Sequence, residues 1–396
     1  MLKYWLWLTT RQGLGTRGAY LAVRHFGSPE AAYFADREAC FSVPGLRNGN
    51  SLLDKDMRLP EKILGQCYEK GIGILTFQDA AYPERLRNID DPPLVLYYRG
   101  SLAALGRLSV SVVGTRTVST YGLVQADKMG YGLSRCGCTV VSGGARGVDA
   151  AAMKGALRGG SPVVGVLGCG VDVAYPSENK SLFDQVTVNG CLISEYPPQT
   201  RPRPEFFPVR NRIISGLGLG VLVVEAPERS GALVTANLAL EQGRDVFTIP
   251  ANLDTISCRG NLKLLRDGAI IVRDAWDILQ EYVHLYPEQI KRNSCLEIQP
   301  ETHAQRETAE RRLPDEPSVG GDEPGSGTIT ELPDGLQGDE RLLAELLLDG
   351  PMYTDAVVEE SQLPAGRVLA SLTLLEVKGI IRRTGNKRFE LVPQVL

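Results

Sequence analysis

The sequence predicts an α/β protein built on a doubly wound parallel sheet, with a small helical module before it and a winged-helix-like unit after it. Three observations predict this. Short, continuously apolar runs recur at Ser109–Val113, Cys138–Ser142, Val163–Leu167, Cys191–Ser194, Leu219–Glu225, Val246–Pro250 and Ala269–Val272, and strands apolar on both faces belong to parallel sheets covered on both sides. Helix-like stretches opened by Ser, Gly or Pro separate these runs, and right-handed crossovers then wind the sheet into an extended Rossmann-like domain. Gly is 43 of 396 residues, above the ordinary ~7% and without collagen-like period, which marks tight turns or ligand-binding loops.

Residues 1–60 read as a small helical module. Its turn signals, Leu14-Gly15 and Pro44-Gly45-Leu46, are each followed by helix-like sequence, a SAM-like or helix-hairpin-helix-like pattern. Residues 61–108 read as a connecting segment leading into the sheet, and 109–290 as the Rossmann-like domain. Glu297–Glu340 holds 12 acidic and 3 basic residues, no aromatics, and a Gly/Pro/Ser-rich run from Pro314 to Gly327. Such a segment cannot bury enough apolar surface to offset its ordering entropy, so 297–339 reads as an acidic disordered linker. In 340–396, helices are expected at Leu342–Leu348, Thr354–Glu360 and Ala365–Lys378. Ile380–Arg383 and Phe389–Val392 flank the turn Thr384-Gly385-Asn386, which completes a winged-helix pattern. Five positive charges cluster in Lys378–Arg388 along the expected wing, although Gly338–Leu396 as a whole has 7 basic and 9 acidic residues.

The chain carries 43 Lys and Arg against 47 Asp and Glu, a formal charge of −4. The acidic segment accounts for −9, which leaves +5 on the rest. A polybasic, histone-like protein is excluded, and the folded part is mildly basic. No apolar run reaches the ~18 residues that span a bilayer. Met1–Thr10 is apolar but too short for a span, and it lacks the small-residue cleavage site of a signal peptide. A cytoplasmic protein without membrane contact is expected. The 8 Cys include no Cys-x-x-Cys pair, so free thiols in a reducing compartment are expected. The 3 His, at positions 25, 284 and 303, leave the middle of the chain without histidine chemistry. Neither a metal nor a cofactor is expected.

The first expected strand ends in Val113-Gly114-Thr115-Arg116, followed by Ser119-x-Tyr121-Gly122. The second ends in Ser142-Gly143-Gly144-Ala145-Arg146-Gly147-Val148-Asp149. Both turns fall at carboxyl ends of parallel strands, where doubly wound sheets bind ligands. Glycines let backbone N–H groups approach an anion, and Arg116 and Arg146 add charge-assisted bonds. No Walker motif and no dinucleotide fingerprint is present. Lys180 and Phe183 share a helix face. A cation beside an aromatic suits a phosphate and a base, although spacing alone favours a core Phe and a solvated Lys. Arg201 to Arg212 contains four Arg and two Phe with one acid, the interleaving that a single-strand groove uses. Glu225, at a strand end, reads first as a cap or salt-bridge partner, and Asp149 and Asp172 as braces of the adjacent turns. No nucleophile with its base is visible.

At these residues the chain resembles the DNA-processing protein A (DprA/Smf) family. The resemblance is carried by Val113–Arg116 with Ser119–Gly122, Ser142–Asp149, Tyr175-Pro176 with Asn179, and Phe207–Leu217. Ser230–Ala236, Gly243–Phe247, Gly260-Asn261 and Asp267–Ala269 follow in order. It implies a non-enzymatic single-stranded DNA binder that protects incoming DNA and loads the recombinase RecA during natural transformation, and a homodimer through the Rossmann-like domain. It places the DNA pocket at Gly114, Arg116, Ser142, Gly143, Gly144, Arg146, Lys180, Phe183, Arg210, Asn211 and Arg212. Lys180 and Phe183 thereby gain a basic and an aromatic binding role. Thr115 stands where Ser is commoner in the family. A rival reading is a nucleotide-processing enzyme similar to the phosphoribohydrolases often labelled lysine decarboxylases, but their Pro-Gly-Gly-x-Gly-Thr-x-x-Glu pattern is missing. A third is an adaptor whose main surface serves protein partners.

Overall fold

A computed structural model describes residues 1–292, 336, 338–350, 352–384 and 388–392, divided between the compact units Met1–Thr302 and His303–Leu396. Apart from 336, 338 and 339, the expected linker lies outside the described residues.

The first unit begins with helices α1 (Leu2–Thr9), α2 (Gly15–Phe26), α3 (Pro29–Phe34), α4 (Arg37–Phe41) and α5 (Arg58–Glu69). Ser28 Oγ accepts from Ala31 N at 3.1 Å and Asp36 from Ala39 N at 2.8 Å, so both short helices start on a side-chain cap. Gly27 ends α2 in a left-handed conformation, φ 78°. The apolar start of the chain is explained by packing: Trp5, Leu6, Trp7 and Leu8 form the centre of the module's core together with Leu94, Val95, Tyr97 and Val171. The module therefore shares its core with the sheet that follows.

That sheet has nine strands: β1 (Gly73–Thr76), β2 (Val95–Gly100), β3 (Ser109–Val113), β4 (Thr139–Ser142), β5 (Val163–Leu167), β6 (Gly190–Ser194), β7 (Gly220–Val223), β8 (Asp245–Thr248) and β9 (Ile270–Ile271). Their order is β1-β2-β6-β5-β4-β3-β7-β8-β9. From β6 to β9 every pairing is parallel. The segment 61–108 does more than connect, since it carries β1, the short helix α6 (Glu84–Arg87) and β2, which add two antiparallel strands beyond β6. Every residue of β3, β4, β5 and β6 is buried, as expected for strands covered on both faces.

One face is covered by α7 (Thr120–Arg135), α8 (Val148–Gly159) and α9 (Lys180–Asn189); the other by α10 (Phe206–Leu217) and α11 (Gly231–Glu241). The chain steps from β3 out to β6 on one side, then returns to lay β7 on the other side of β3. This reversal is the topological switch point, and it opens a crevice between the carboxyl ends of β3 and β7. Helices α7 and α8 cross at backbone contact. A Cβ on Gly155 would sit 2.1 Å from the Asp127 carbonyl oxygen, and one on Gly130 2.1 Å from that of Ala152.

In the second unit, helices Asp339–Leu346, Thr354–Ser361 and Ala365–Val377 surround a three-stranded antiparallel sheet of order β10-β12-β11, with β10 Met352–Tyr353, β11 Ile381–Thr384 and β12 Arg388–Leu391. Leu343, Leu347, Val357, Val368, Leu372, Leu375 and Phe389 make its core. This is a winged-helix arrangement. The tip of the expected wing, 385–387, lies outside the described residues. Part of the positive run is neutralised within the unit, where Lys378 pairs with Glu340 at 2.5 Å and Arg382 with Glu390 at 2.6 Å.

Among the described residues no helix is long and apolar enough to cross a membrane. Cys40, Cys67, Cys138, Cys169, Cys191 and Cys258 are free and buried.

Candidate nucleic-acid interface

A cleft of about 560 Å³ occupies the switch point. Its walls are Gly114–Thr117 after β3, Arg229–Ala232 after β7, Tyr175 from the loop after β5, and Arg203, Phe207, Arg210 and Asn211 from α10 and the segment before it. The turns are built tightly. A Cβ on Gly114 would fall 2.5 Å from the Val148 side chain, and one on Gly147, at φ +75°, would fall 2.5 Å from the Thr115 carbonyl oxygen. Only glycine lets these two turns pack against each other.

Glu225 lies just past β7 and is 1% exposed. Its carboxylate accepts from Ser119 N at 3.1 Å and from Ser119 Oγ at 2.6 Å, while Ser119 Oγ accepts from Gly122 N at 3.0 Å and caps α7. Glu225 is a brace of the first turn. Asp172 is likewise a brace, accepting from Gln199 N at 2.8 Å and pairing with Lys70.

The charges of the cleft are arginines. Exposed Arg116 lies over the Phe207 ring at 5.2 Å and makes no ion pair among the described residues. Exposed Arg203 and Arg229 make none either. Arg210 is 4% exposed, donates from Nη1 to the Val166 carbonyl oxygen at 2.7 Å, and has an Nε without a hydrogen-bond partner. Burial lowers its pKa to about 10, against the opposing pull of Asp149. Among the described residues, Asp149 is the one acid lining the cleft. Burial pushes its carboxyl above the usual range, and Arg210 and the Ala145 N–H, at 3.3 Å, act in the other direction. Gly143 is glycine because the Arg210 guanidinium fills its side-chain space, with Nη1 2.0 Å from a would-be Cβ.

The expected site residues divide into three groups. Gly114, Arg116, Arg210 and Asn211 line the cleft. Gly143 and Arg146 line a small recess beside it, together with Arg116, Tyr175, Phe207 and Arg210. Arg146 is held there in a two-bond pair with Glu178, both at 2.7 Å. The remaining five do not line it. Ser142 is fully buried and donates to the Val112 carbonyl oxygen at 2.8 Å, tying β4 to β3. Phe183 is 4% exposed and belongs to the core beneath α8 and α9, so its ring faces are not open to a base. Gly144, at φ +65°, rests on that ring, with a would-be Cβ 2.5 Å from Phe183 Cε1. Lys180 is exposed beside Asp184, its ion-pair partner at 2.7 Å. Arg212 is 7% exposed and braces α10, pairing with Glu195 at 2.8 Å and Asp91 at 3.3 Å.

Residues not singled out as site residues also line the cleft: Arg203, Phe207, Arg229 and Tyr175. Tyr175 and Phe207 hold their rings 5.5 Å apart, and Tyr175 is 42% exposed. The signal for Arg203 and Phe207 was the Arg/Phe interleaving itself; nothing in the local sequence marked Arg229.

Comparison with known proteins gives these features a family. The family described as DNA recombination-mediator protein A matches residues 73–283, and the DprA winged helix domain matches 330–387. Protein Smf of Synechocystis is 32% identical over 98% of both chains. DNA processing protein DprA of Streptococcus pneumoniae is 39% identical over 61% of this chain and 84% of its own. The X-ray structure of the Streptococcus pneumoniae protein superposes with a TM-score of 0.65 at 33% identity, covering 71% of this chain and 98% of that one. A Helicobacter pylori DNA processing protein A, studied for its single-stranded DNA binding mode, superposes with a TM-score of 0.50 at 28% identity over 54% of this chain and 97% of that one. On full-length similarity, two family matches and a shared fold, the chain belongs to the DNA-processing protein A (DprA/Smf) family.

Proposed function

We propose that the chain binds single-stranded DNA without sequence preference and without making or breaking a bond, in the cleft at the switch point. The observation that carries this reading is the lining: Arg116, Arg203 and Arg229, without an ion pair among the described residues, stand around the rings of Tyr175 and Phe207, over the buried charge of Arg210. Guanidinium groups take phosphates, and aromatic faces take bases of any identity. Gly114 and Gly143 bring backbone close to the strand, and Asn211 offers a side-chain amide. Two facts weigh against the enzyme reading. Asp149 is enclosed against Arg210, and Glu225 is committed to the cap of α7. The DNA-binding behaviour of the Helicobacter pylori relative supports the same assignment.

Binding is expected to weaken with salt, with a log–log slope of about −0.7 per phosphate neutralised. Arg116→Ala should lower affinity for oligo-dT roughly tenfold and reduce the magnitude of that slope by about 0.7. Fluorescence anisotropy over a salt series, with duplex DNA alongside, reads both quantities. Wild-type affinity in Arg116→Ala would remove the cleft as the binding site.

Two further assignments accompany this one. The family description as a recombination mediator supports RecA as the recipient of the bound strand during DNA uptake in the cytoplasm. A homodimer is supported by the free edge of the sheet. There β9 exposes Ile270 and Ile271, and the neighbouring loop exposes Leu253 and Ile256. An apolar edge strand that meets its own copy about a two-fold axis covers both edges at once. Ile271→Lys should convert the dimer to monomer in sedimentation equilibrium; an unchanged dimer would place the interface elsewhere.

A further inference from the structure

The N-terminal module carries a concavity of its own. The turn before α2 and the turn after α4 meet there: a Cβ on Gly13 would lie 2.9 Å from Asn48 Nδ2, and one on Gly18 3.1 Å from the Leu46 side chain. Between the turns is a notch of about 490 Å³ whose charged and amide side chains are Arg17, Arg47 and Asn48. Both arginines are exposed, and neither makes an ion pair among the described residues.

The notch is linked to the cleft through α10. Thr16, at the start of α2, donates to Glu195 Oε1 at 3.4 Å, and Glu195 also holds Arg212. Asp91, which Arg17 reaches electrostatically, is held by the same Arg212. Arg212 thus ties one side of α10 to the module, while Phe207 and Arg210 line the cleft. At the start of α10, Phe206 stacks on Tyr196 at 4.1 Å and 23°, with Arg203 over Phe206 at 5.7 Å. Both rings are half-buried. Cations and aromatic faces thus run from Arg116 and Phe207 through Arg203 and Phe206 to Tyr196, which follows Glu195 in sequence, and Glu195 accepts from Thr16, the residue before Arg17.

We propose that a single strand held in the cleft continues past Phe206 and Tyr196 onto this notch, where Arg17 and Arg47 take the phosphates of its outgoing end. The notch is a second nucleic-acid subsite, and it rests on the single-strand reading of the cleft. It lengthens the footprint without altering the first contacts, so it acts on long strands only.

The test uses the full chain, the double variant Arg17→Glu/Arg47→Glu, and oligo-dT of about six and about twenty-five nucleotides. The variant should bind the longer strand roughly tenfold more weakly than wild type, with a salt slope smaller by about 1.4, and the shorter strand with wild-type affinity. Arg17→Lys/Arg47→Lys should keep most of the long-strand affinity, which separates lost charge from lost fold. Unchanged binding of the longer strand, or an equal loss on both lengths, overturns the notch while leaving the cleft in place. Failure of wild type to bind either length overturns the cleft reading itself and the notch with it.

Discussion

Replacing Arg210 by Ala is expected to destabilise the first unit by about 3 kcal/mol near neutral pH, more than any exposed arginine of the cleft would cost. Arg210 donates to the Val166 carbonyl oxygen and is the largest influence opposing the rise that burial imposes on the Asp149 carboxyl. Without it, Asp149 remains buried with the Ala145 and Gly143 N–H groups and Arg116 as the remaining influences that favour its charge. The pH dependence follows from the direction of that shift. A carboxyl whose pKa is raised on folding contributes most below its unfolded value, about 3.9, and loses that contribution as pH rises through the folded value. Removing Arg210 raises the folded value further, so the deficit should be larger at pH 8 than at pH 5. Asp149→Asn in the Arg210→Ala background should recover part of it at pH 8. Urea unfolding of the variants at both pH values measures this, and an equal deficit at the two would mean that Asp149 is not the group left uncompensated.

The same pair shows where sequence reasoning stopped. The parallel core was legible because β3 to β6 are buried on both faces, which forces unbroken apolar runs. The two Gly turns were legible because close backbone approach admits no other residue. The antiparallel pair β1 and β2 was not, since strands of four and six residues separated by a long segment that carries α6, rather than by a tight hairpin turn, give no strong period. Within the site, Arg210 and Arg212 look equivalent in sequence. Two residues on a helix are separated by about 200° of rotation, so one lies under the cleft and the other braces the opposite side of α10 against Asp91 and Glu195. Ser142 and Gly144 sit in the right turn, but burial commits the first to Val112 and steric fit commits the second to Phe183. Sequence spacing fixes which turn approaches the ligand; the side of each residue that faces it is decided by packing.

Phe183 and Phe207 turn that distinction into a measurement. Phe183 is 4% exposed inside the core, and truncation to Ala should cost about 3–5 kcal/mol of stability through lost burial and the cavity left behind. Phe207 is half-buried in the cleft wall, with Arg116 over its ring at 5.2 Å and Tyr175 at 5.5 Å. Its truncation should cost less stability and remove a stacking contact of about 1–3 kcal/mol per base, a loss of roughly five- to 150-fold in affinity. Phe183→Leu keeps most of the core volume and removes the aromatic face. It should fold and bind oligo-dT as wild type does, whereas Phe207→Leu should fold and bind weakly. The reverse pattern would return the base to Phe183 and would require the Gly144 turn to lift off the ring, since Gly144 now rests directly on it.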